Sequence, residues 1–382
     1  MHRIADVHII GAGLIGLASA LALSDRGARV VVHDAREPAK AASWAGAGML
    51  APYSEDVDDA LFRLCVTSLE RYPAFAASLH ERTGIDVELR RDGHLHVAFD
   101  ARGRADLDAM ALRLQSRSVP YEFLDRDATI EREPILGIAA RASLFITGEA
   151  QVDNRRLGRA LLAACNAAGV RIVAEAGPVT LEADDRRVRG LRTSAGFVAA
   201  PVIVNAAGAW AGEIDGVPAP ARVPVTPVGG QMISLAIPRG LVQRVVWANG
   251  AYFVPRGDGR LLVGATVEDR GFDARVTAAG VRWLLEATLR SAPSLGDFTI
   301  SETWAGVRPA SADGRPFLGA TAVEGYFVAA GHYRNGILLT PVTADVLADA
   351  VEGRPSIDLA PFAAGRAMRT EPPEARAKWS AR

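Results

Sequence analysis

Apolar positions near the N-terminus form two short runs separated by a glycine-rich turn and a longer apolar segment. Val7–Ile10 and Val30–His33 predict strands, and residues 14–26 predict a helix between them. Gly27 lies where a glycine C-cap is expected, so the second strand begins directly behind the helix. This order of strand, turn, helix and strand predicts half of a doubly wound α/β unit.

Short alternating or β-branched runs are typical of the middle of the chain, and they predict strands of an antiparallel or mixed sheet. These runs lie at residues 231–235, 252–255, 261–265 and 298–304. Apolar positions at helical spacing predict a helix over residues 277–290, which would cover one face of that sheet. Earlier in the chain, residues 154–168 predict a helix capped by Asp153, followed by strands at 170–173 and 201–204.

The order of these elements predicts an α/β protein with a discontinuous, Rossmann-like dinucleotide-binding domain and a second domain built on a mixed or antiparallel sheet. We expect the dinucleotide-binding domain over residues 1–90, 150–216 and 305–365, the second domain over 91–149 and 217–304, and a tail over 366–382. The tail is charged and contains prolines, so we expect it to be mobile.

Composition indicates a globular protein whose partner is a small molecule. Of 382 residues, 49% are hydrophobic and 23% are charged, and 43 basic against 44 acidic side chains leave a formal net charge of −1. That balance gives no general attraction to nucleic acid or to an anionic membrane surface. Cys65 and Cys165 lie far apart and match no metal or redox spacing, so we expect no disulfide, no metal site and a cytoplasmic location.

Glycines in a fixed pattern carry the first chemical signal. Gly11, Gly13 and Gly16, with Leu14 and Ile15 between them, stand directly after the first strand and open the helix. The first glycine permits a tight turn, the second lets the backbone approach a pyrophosphate, and the third allows close packing of helix on strand. Free N–H groups at the helix N-terminus then bind phosphate.

Asp34, followed by Ala35, ends the second strand about 20 residues further on, where a carboxylate accepts hydrogen bonds from ribose hydroxyls. The whole pattern favours dinucleotide binding over a structural turn, but it does not separate FAD from NAD. Residues 7–23 are also apolar enough to resemble a signal peptide or a short membrane span, an interpretation that the three glycines disfavour.

Three further segments resemble those of the D-amino-acid oxidase superfamily, in particular its glycine oxidase branch, which serves thiazole synthesis. They are SWAGAGMLAP at 43–52, VIVNAAGAW at 202–210 and GHYRNGILL at 331–339. The resemblance runs from about residue 5 to 352 and implies FAD as the cofactor. In monomeric sarcosine oxidases a cysteine attaches the flavin, whereas residues 311–318 here contain none, so we expect FAD to be non-covalent.

The resemblance also implies which side chains touch the cofactor. Small residues in the first segment suit a backbone that lies against a planar ring, with a flexible loop as the alternative. The cofactor contacts expected from the three segments and from the strand edge near 179 are Ala42, Ser43, Ala47, Gly48, Met49, Val179, Gly208, His332, Tyr333, Arg334, Asn335, Gly336, Ile337 and Leu338.

A strand at 326–329 enters the third segment, and a helix that reaches residue 351 leaves it. The helix N-terminus therefore favours negative charge in the turn, which suits a flavin better than a nicotinamide. Arg334 is either part of this site or a solvated surface arginine. His332 invites a general-base role, but we favour a structural or flavin-contacting one, because hydride transfer from a neutral amine needs no protein base.

By resemblance, Arg308 in the segment WAGVRP binds the substrate carboxylate, for which the planar guanidinium is matched. The alternative for this arginine is a structural salt bridge. Tyr252 resembles a tyrosine whose hydroxyl contacts the substrate, although packing is an equally good explanation. Met49 and Val267 would line the side-chain pocket, and Arg334 would help to close the site.

The implied reaction is oxidation of glycine, or of another small amino acid, to the imine by hydride transfer to flavin, with oxygen reduced to hydrogen peroxide. No residue acts as a nucleophile or base, and the imine feeds thiamine thiazole synthesis. The family's habit implies a homotetramer. Alternatives are a sarcosine or D-amino-acid oxidase, a dehydrogenase, a flavin-binding scaffold and a tRNA-modifying flavin domain, the last of which would need a basic face.

Overall fold

The computed structural model describes residues 6–368, which form eight α-helices and nineteen strands. The helices are α1 Leu14–Asp25, α2 Ala42–Ala45, α3 Asp59–Thr83, α4 Ala101–Ser116, α5 Arg126–Arg132, α6 Asn154–Ala167, α7 Ala278–Ser291 and α8 Thr340–Val351. The strands are β1 Val7–Ile10, β2 Val30–His33, β3 Met49–Leu50, β4 His94–Ala98, β5 Glu122–Leu124, β6 Ala142–Ile146, β7 Ala150–Gln151, β8 Arg171–Val173, β9 Thr180–Ala183, β10 Val188–Thr193, β11 Gly196–Ala199, β12 Val202–Asn205, β13 Thr226–Ala236, β14 Val245–Ala248, β15 Ala251–Pro255, β16 Arg260–Gly264, β17 Thr299–Ala310, β18 Phe317–Ala320 and β19 Tyr326–Ala330.

A six-stranded sheet in the order β18-β19-β12-β1-β2-β8 carries the glycine turn. Its strands are parallel except β18, which runs antiparallel to β19. Helices α1, α6 and α8 pack together beside it, and α6 begins at the predicted cap, since the Asp153 carboxylate accepts bonds from the N–H groups of Arg155 and Arg156. The doubly wound fold is therefore confirmed, with β1 and β2 at their predicted bounds.

An eight-stranded sheet in the order β17-β13-β16-β15-β14-β4-β6-β5 forms the second layer, and α7 packs on it. Only the β14–β4 pair in this sheet is parallel, so the mixed sheet is also as predicted. The prediction that one strand ends at Trp304 was wrong, because β17 continues to Ala310 while paired with β13 along its whole length. Strands β4, β5, β6 and β14 were not predicted.

Strand β17 also crosses from the predicted second domain into the predicted dinucleotide-binding domain, and the domain boundaries themselves stay a prediction. Both cysteines are buried and free, and both lie in the core against the six-stranded sheet. Within residues 6–368, no helix is long and apolar enough to cross a membrane. Most of the predicted tail lies outside the described residues, but Arg366 pairs with Asp313 at 2.7 Å.

Candidate active site

A cavity of about 200 Å³ lies where the glycine turn, the segment 42–51, the eight-stranded sheet and the turn before α8 meet. It brings together most of the predicted site residues from distant parts of the chain. The predicted residues that line it are Gly13, Leu14, Ile15, Ala42, Ser43, Ala47, Gly48, Met49, Gly208, Tyr252, Val267, Arg308, His332, Tyr333, Arg334, Asn335, Gly336 and Ile337.

Six predicted cofactor residues do not line the cavity: Gly11, Gly16, Asp34, Ala35, Val179 and Leu338. Val179 is buried under the small sheet β9–β11, and Leu338 is packed in the core, where its carbonyl accepts a bond from Ser68. Asp34 lies on the turn, where its carboxylate accepts bonds from the N–H of Ala12 at 2.6 Å and of Arg36 at 2.9 Å. Their roles toward a cofactor stay predictions.

The glycine turn has the close contacts that a pyrophosphate cradle needs. A Cβ on Gly16 would lie 1.9 Å from the carbonyl oxygen of Gly11, and a Cβ on Gly11 would lie 2.4 Å from that of Ala206. Gly13 caps α1 without any side-chain hydrogen bond. The first N–H of the helix, on Leu14, donates to the Ser43 hydroxyl at 3.0 Å. Apart from this bond, no side chain among the described residues caps the N-terminus of α1, which can therefore bind an anion. The residues present fit a dinucleotide.

The small-residue segment is held in place by bonds to its backbone, so it is not the flexible loop of the alternative interpretation. The Asn154 amide donates to the carbonyl oxygens of Ser43 at 2.8 Å and Trp44 at 3.1 Å. The indole of Trp304 donates to Ala45 at 3.0 Å, and the Arg256 guanidinium donates to the Ala47 carbonyl at 2.6 Å. These contacts make residues 43–48 a fixed platform for a planar ring.

Arg308 projects from β17 into the cavity and lies over Gly230, where a Cβ would be only 2.3 Å from its Nη1. Nη1 donates to the carbonyl oxygens of Gly229 at 3.0 Å and Thr266 at 3.3 Å. No carboxylate among residues 6–368 forms an ion pair with it, so the structural salt bridge is not found. The guanidinium also interacts with the Tyr252 hydroxyl, and it faces the cavity, where it can bind a ligand carboxylate.

Tyr252 lies on the face of the same sheet with its hydroxyl 3.9 Å from the sulfur of Met232. Gly264 leaves room for it, since a Cβ there would be 2.6 Å from the ring. Burial raises the pKa of Tyr252, so the phenol stays protonated and can donate a hydrogen bond. Trp247, which was not predicted, faces Tyr252 across the β14–β15 pair with their rings 5.4 Å apart.

The turn between β19 and α8 is strained, because Tyr333 adopts a positive φ of 48° although it is not glycine. His332 is buried and its Nε2 lies 3.1 Å from the Thr343 hydroxyl. Burial lowers the pKa of His332 to about 3, so the imidazole is neutral at physiological pH. This contact fits a structural role, and a flavin contact stays a prediction.

Glu55 lines the cavity and was missed by the sequence analysis. Burial raises its pKa, while Arg334, a hydrogen bond from Asn335 and Arg308 oppose that rise. Burial disfavours the charged form of Arg334, but Glu55, Tyr333 and Tyr252 together outweigh that effect, and the pKa of Arg334 is raised. Arg334 is therefore part of the site and not a solvated surface arginine. Glu55 lies just beyond the small-residue segment, and no local pattern marks it.

Behind Glu55, a buried network fixes the turn that carries it. The Glu149 carboxylate accepts bonds from the backbone of Tyr53 at 2.9 Å and of Ser54 at 2.7 Å, and from the Ser54 hydroxyl at 2.6 Å. It also lies 2.8 Å from Nδ1 of His94, with both side chains fully buried. His94, the Ser54 hydroxyl and His96 favour the charged form, so the pKa of Glu149 is lowered despite its burial.

Comparison with known proteins gives the same assignment as the geometry. Residues 6–350 match the family model DAO, described as FAD dependent oxidoreductase. Glycine oxidase from Geobacillus kaustophilus is 37% identical over 366 residues, which cover 94% of this chain and 97% of that protein. A crystal structure of the glycine oxidase from that organism superposes with a TM-score of 0.91 at 36% identity, covering 96% of this chain and 99% of that one.

The bifunctional protein ThiO/ThiG of Trichormus variabilis is 36% identical over 351 residues. The match covers 90% of this chain but only 52% of that protein, so the chain spans about half the length of this relative. The family match covers nearly every described residue and includes both the glycine turn and the segment 331–339. The resemblance and the FAD cofactor are confirmed, and the chain belongs to the DAO family of FAD dependent oxidoreductases.

Proposed function

We propose that the protein oxidises glycine, or an amino acid of similar size, to the corresponding imine. The observation that carries this proposal is Arg308, whose guanidinium faces the cavity without an acidic partner among the described residues. A bidentate guanidinium selects a carboxylate, and the tyrosine beside it offers a hydroxyl. The similarity to glycine oxidases over nearly the whole chain supports the same substrate class.

FAD fits the residues present: the glycine turn would hold its pyrophosphate, and the segment 42–49 and the turn at 332–337 would hold its ring system. The chemistry that FAD supplies when bound is removal of a hydride from the substrate Cα and delivery of the electrons to dioxygen, which leaves as hydrogen peroxide. The chain itself binds and orients the amino acid, because no nucleophile or metal is needed.

The charges that line the cavity favour the reactive form of the substrate. Arg308 and Arg334 are cations, and Glu55, whose pKa is raised by burial, lines the same cavity. The site therefore carries net positive charge, which favours an amino acid with an ionised carboxylate and an uncharged amine. That uncharged amine has the free lone pair that imine formation requires, so Arg308 orients the carboxylate while the site selects the substrate's protonation state.

Size selection falls to the side chains around the substrate position. Met49, Met232, Trp247 and Val267 line the cavity and would limit the substituent on Cα or nitrogen. We extend the proposal to glycine over sarcosine and D-alanine, to a homotetramer in the cytoplasm, and to supply of the imine for thiamine thiazole synthesis. The ThiO/ThiG relative supports the last point, and a mass measurement in solution tests the tetramer.

A steady-state peroxide assay on the FAD-loaded protein tests the proposed reaction with glycine, sarcosine, D-alanine and L-alanine. We expect turnover of glycine, and a fall in kcat/KM of about a hundredfold or more in Arg308→Ala, because a charge-assisted bidentate pair contributes on the order of 3 kcal/mol. Arg308→Lys should recover part of the loss through KM. Arg239→Ala, an exposed arginine outside the cavity, is the matched control.

The same assay separates the alternatives. Activity with an artificial electron acceptor but not with dioxygen would replace the oxidase proposal by a dehydrogenase. Equal rates for Arg308→Ala and the unmodified protein would contradict the assignment of Arg308. Yellow protein that oxidises none of the four amines would overturn the substrate class and favour a flavin-binding scaffold.

A further inference from the structure

A second cavity, of about 690 Å³, opens on the far side of the eight-stranded sheet and is lined by arginines. We call it the arginine cleft. Its walls are the end of α5, the loop between β13 and β14, the β15–β16 turn and the loop before β4. The charged residues that line it are Arg90, Asp92, Arg132, Arg239, Arg244 and Arg256.

Arg256 forms the wall between this cleft and the FAD cavity. Its guanidinium points away from the cleft and donates to Gln151 at 2.9 Å, to Ala47 at 2.6 Å and to Asn154 at 3.2 Å. These three bonds and the nearby Asp153 carboxylate stabilise the charge of Arg256 inside the protein, so Arg256 is a structural residue. The remaining four arginines belong to the cleft alone, which is therefore separate from the proposed amino-acid site.

The acids near the cleft neutralise these four arginines only in part. Asp92 pairs with Arg90 at 2.6 Å, and Glu122, which does not line the cleft, pairs with Arg132 at 2.8 Å. Arg239 is exposed and forms no ion pair with any residue in 6–368. The cleft thus keeps a surplus of positive charge that only solvent or a bound anion balances.

Of these four arginines, Arg244 has the most buried side chain. Its side chain is only 13% exposed, and its Nε is buried without a hydrogen-bond partner among the described residues. The nearest acid is Glu133, 3.7 Å away, which accepts from the backbone N–H of Gln243. Burial raises the pKa of Glu133 to about 7, so this carboxyl is only partly ionised at neutral pH. This distant, partly ionised carboxyl balances the charge of Arg244 only in part, so the guanidinium can still bind an anion in the cleft.

The floor of the cleft concentrates the positive charge. The guanidinium carbons of Arg132 and Arg244 lie 4.5 Å and 5.5 Å from the centre of the same ring, Phe145. Burial lowers the pKa of Arg244, and Arg132 and Arg90 lower it further, although Glu133 and Asp92 oppose this shift. Guanidiniums that repel each other over an apolar floor gain most from an anion with more than one charge.

We propose that the arginine cleft binds a small polyanion, either a phosphate ester or a polycarboxylate, with Arg239 and Arg244 as its principal contacts. The guanidinium fork binds both classes of anion in the same bidentate way. The proposed site lies outside the cavity that holds FAD and the amino acid. It does not depend on the substrate that the protein oxidises.

Isothermal titration calorimetry on the FAD-loaded protein tests this site with two probes, pyrophosphate and citrate. Loaded protein is used because free pyrophosphate can enter an empty glycine turn. We expect saturable binding of at least one probe, weakened about tenfold or more in Arg239→Ala and in Arg244→Ala, since each loses a hydrogen bond between charged groups. Binding of pyrophosphate alone assigns a phosphate ligand, and binding of citrate alone assigns a polycarboxylate.

Arg282→Ala is the control, because Arg282 is an exposed arginine on α7 that pairs only with Glu286 among the described residues. It should bind both probes like the unmodified protein. Arg239→Ala should not disturb the fold, because that side chain is exposed. The flavin spectrum of this variant checks that the fold is intact. No binding of either probe, or equal affinity in Arg239→Ala, Arg244→Ala and the control, would overturn the proposal whatever the outcome of the amine assay.

Discussion

Glu55 is the only acidic side chain that lines the cavity among the described residues, and it faces two arginines there. A carboxylate near the substrate nitrogen stabilises the ammonium form, whereas the two guanidiniums stabilise the neutral amine. We therefore expect Glu55 to set the pH at which a bound amino acid becomes reactive. This role is electrostatic and requires no proton transfer to Glu55 itself.

Glu55→Gln should shift the acidic limb of the kcat against pH profile to lower pH. The expected shift is about one pH unit, which corresponds to ~1.4 kcal/mol of charge interaction. Glu55→Asp keeps the charge and should keep the limb near its original position. A profile that is identical in Glu55→Gln and the unmodified protein would rule out this role for Glu55.

At the residue scale, the sequence predicts site residues that stand inside a motif and misses those that do not. Arg308 and Tyr252 were found because they stand in segments that resemble a known family. Glu55 follows no spacing rule, and Glu149, which holds the backbone of the neighbouring Ser54, is about 95 residues away in the sequence. Trp247 had a signal that was overlooked, since the Asn249-Gly250 pair marks a hairpin that places it opposite Tyr252.

At the scale of elements, the short helix α2 packs so closely on β17 that only glycine fits at residue 306. A Cβ there would lie 2.5 Å from the Cβ of Ala45. Two residues earlier on β17, the indole N–H of Trp304 donates a hydrogen bond to the Ala45 carbonyl oxygen and holds α2 against the same strand. Because α2 begins the segment that we propose holds the flavin ring, we expect its distance from β17 to affect how tightly FAD binds.

Gly306→Ala should displace α2, lower the free energy of unfolding by about 1–3 kcal/mol and weaken FAD retention. Gly365→Ala is the matched control, because a Cβ there meets nothing within 4 Å and its φ is not in the left-handed region. Flavin fluorescence released on dilution measures retention, and thermal unfolding measures stability. Unchanged FAD retention in Gly306→Ala would contradict the role given to α2.

Elements with a strong local period were predicted well, and elements defined by their partners were not. Strands β1 and β2 and helix α6 follow from apolar runs and a capping aspartate. The length of β17 depends on eleven residue pairs with β13, which no property of its own sequence reveals. Helix α3 was missed although Asp58 caps its start and Gly84 its end.

At the scale of the whole molecule, buried histidines make stability depend on pH. His8 and His33 lie on neighbouring strands with His8 Nδ1 and His33 Nε2 2.9 Å apart. Burial, and then repulsion from His8 and Arg171, lower the pKa of His33 from 6.5 to about 4. The unfolded chain therefore binds a proton below pH 6.5 that the folded chain does not bind until about pH 4.

The free energy of unfolding should fall as the pH is lowered from about 6.5 to about 4, by about 3 kcal/mol for His33 alone. His33→Val removes this titration and should flatten that part of the curve. His80→Val, at an exposed position on α3, should leave the slope as it is. Urea unfolding at several pH values measures the difference, and parallel curves for all three proteins would refute the prediction.

The two-layer architecture was predictable in outline, because a glycine fingerprint and alternating strands each specify a sheet. The contact between the layers was not predictable, because the cavity gathers residues from Gly13 to Ile337. The arginine cleft was missed for a similar reason. Its four arginines are spread from Arg90 to Arg244 and form a surplus of charge only when distant segments of the chain come together.

The order of strands in the six-stranded sheet also determines how long β1 waits for its second partner strand during synthesis. Strand β1 pairs with β2 early, but its other edge pairs with β12, which begins about 170 residues after β2 ends. At 5–20 residues per second, a ribosome takes roughly ten to thirty seconds to deliver that partner. In that interval the second edge of β1 has no partner strand. We therefore expect the nascent chain to be most prone to aggregation during that time.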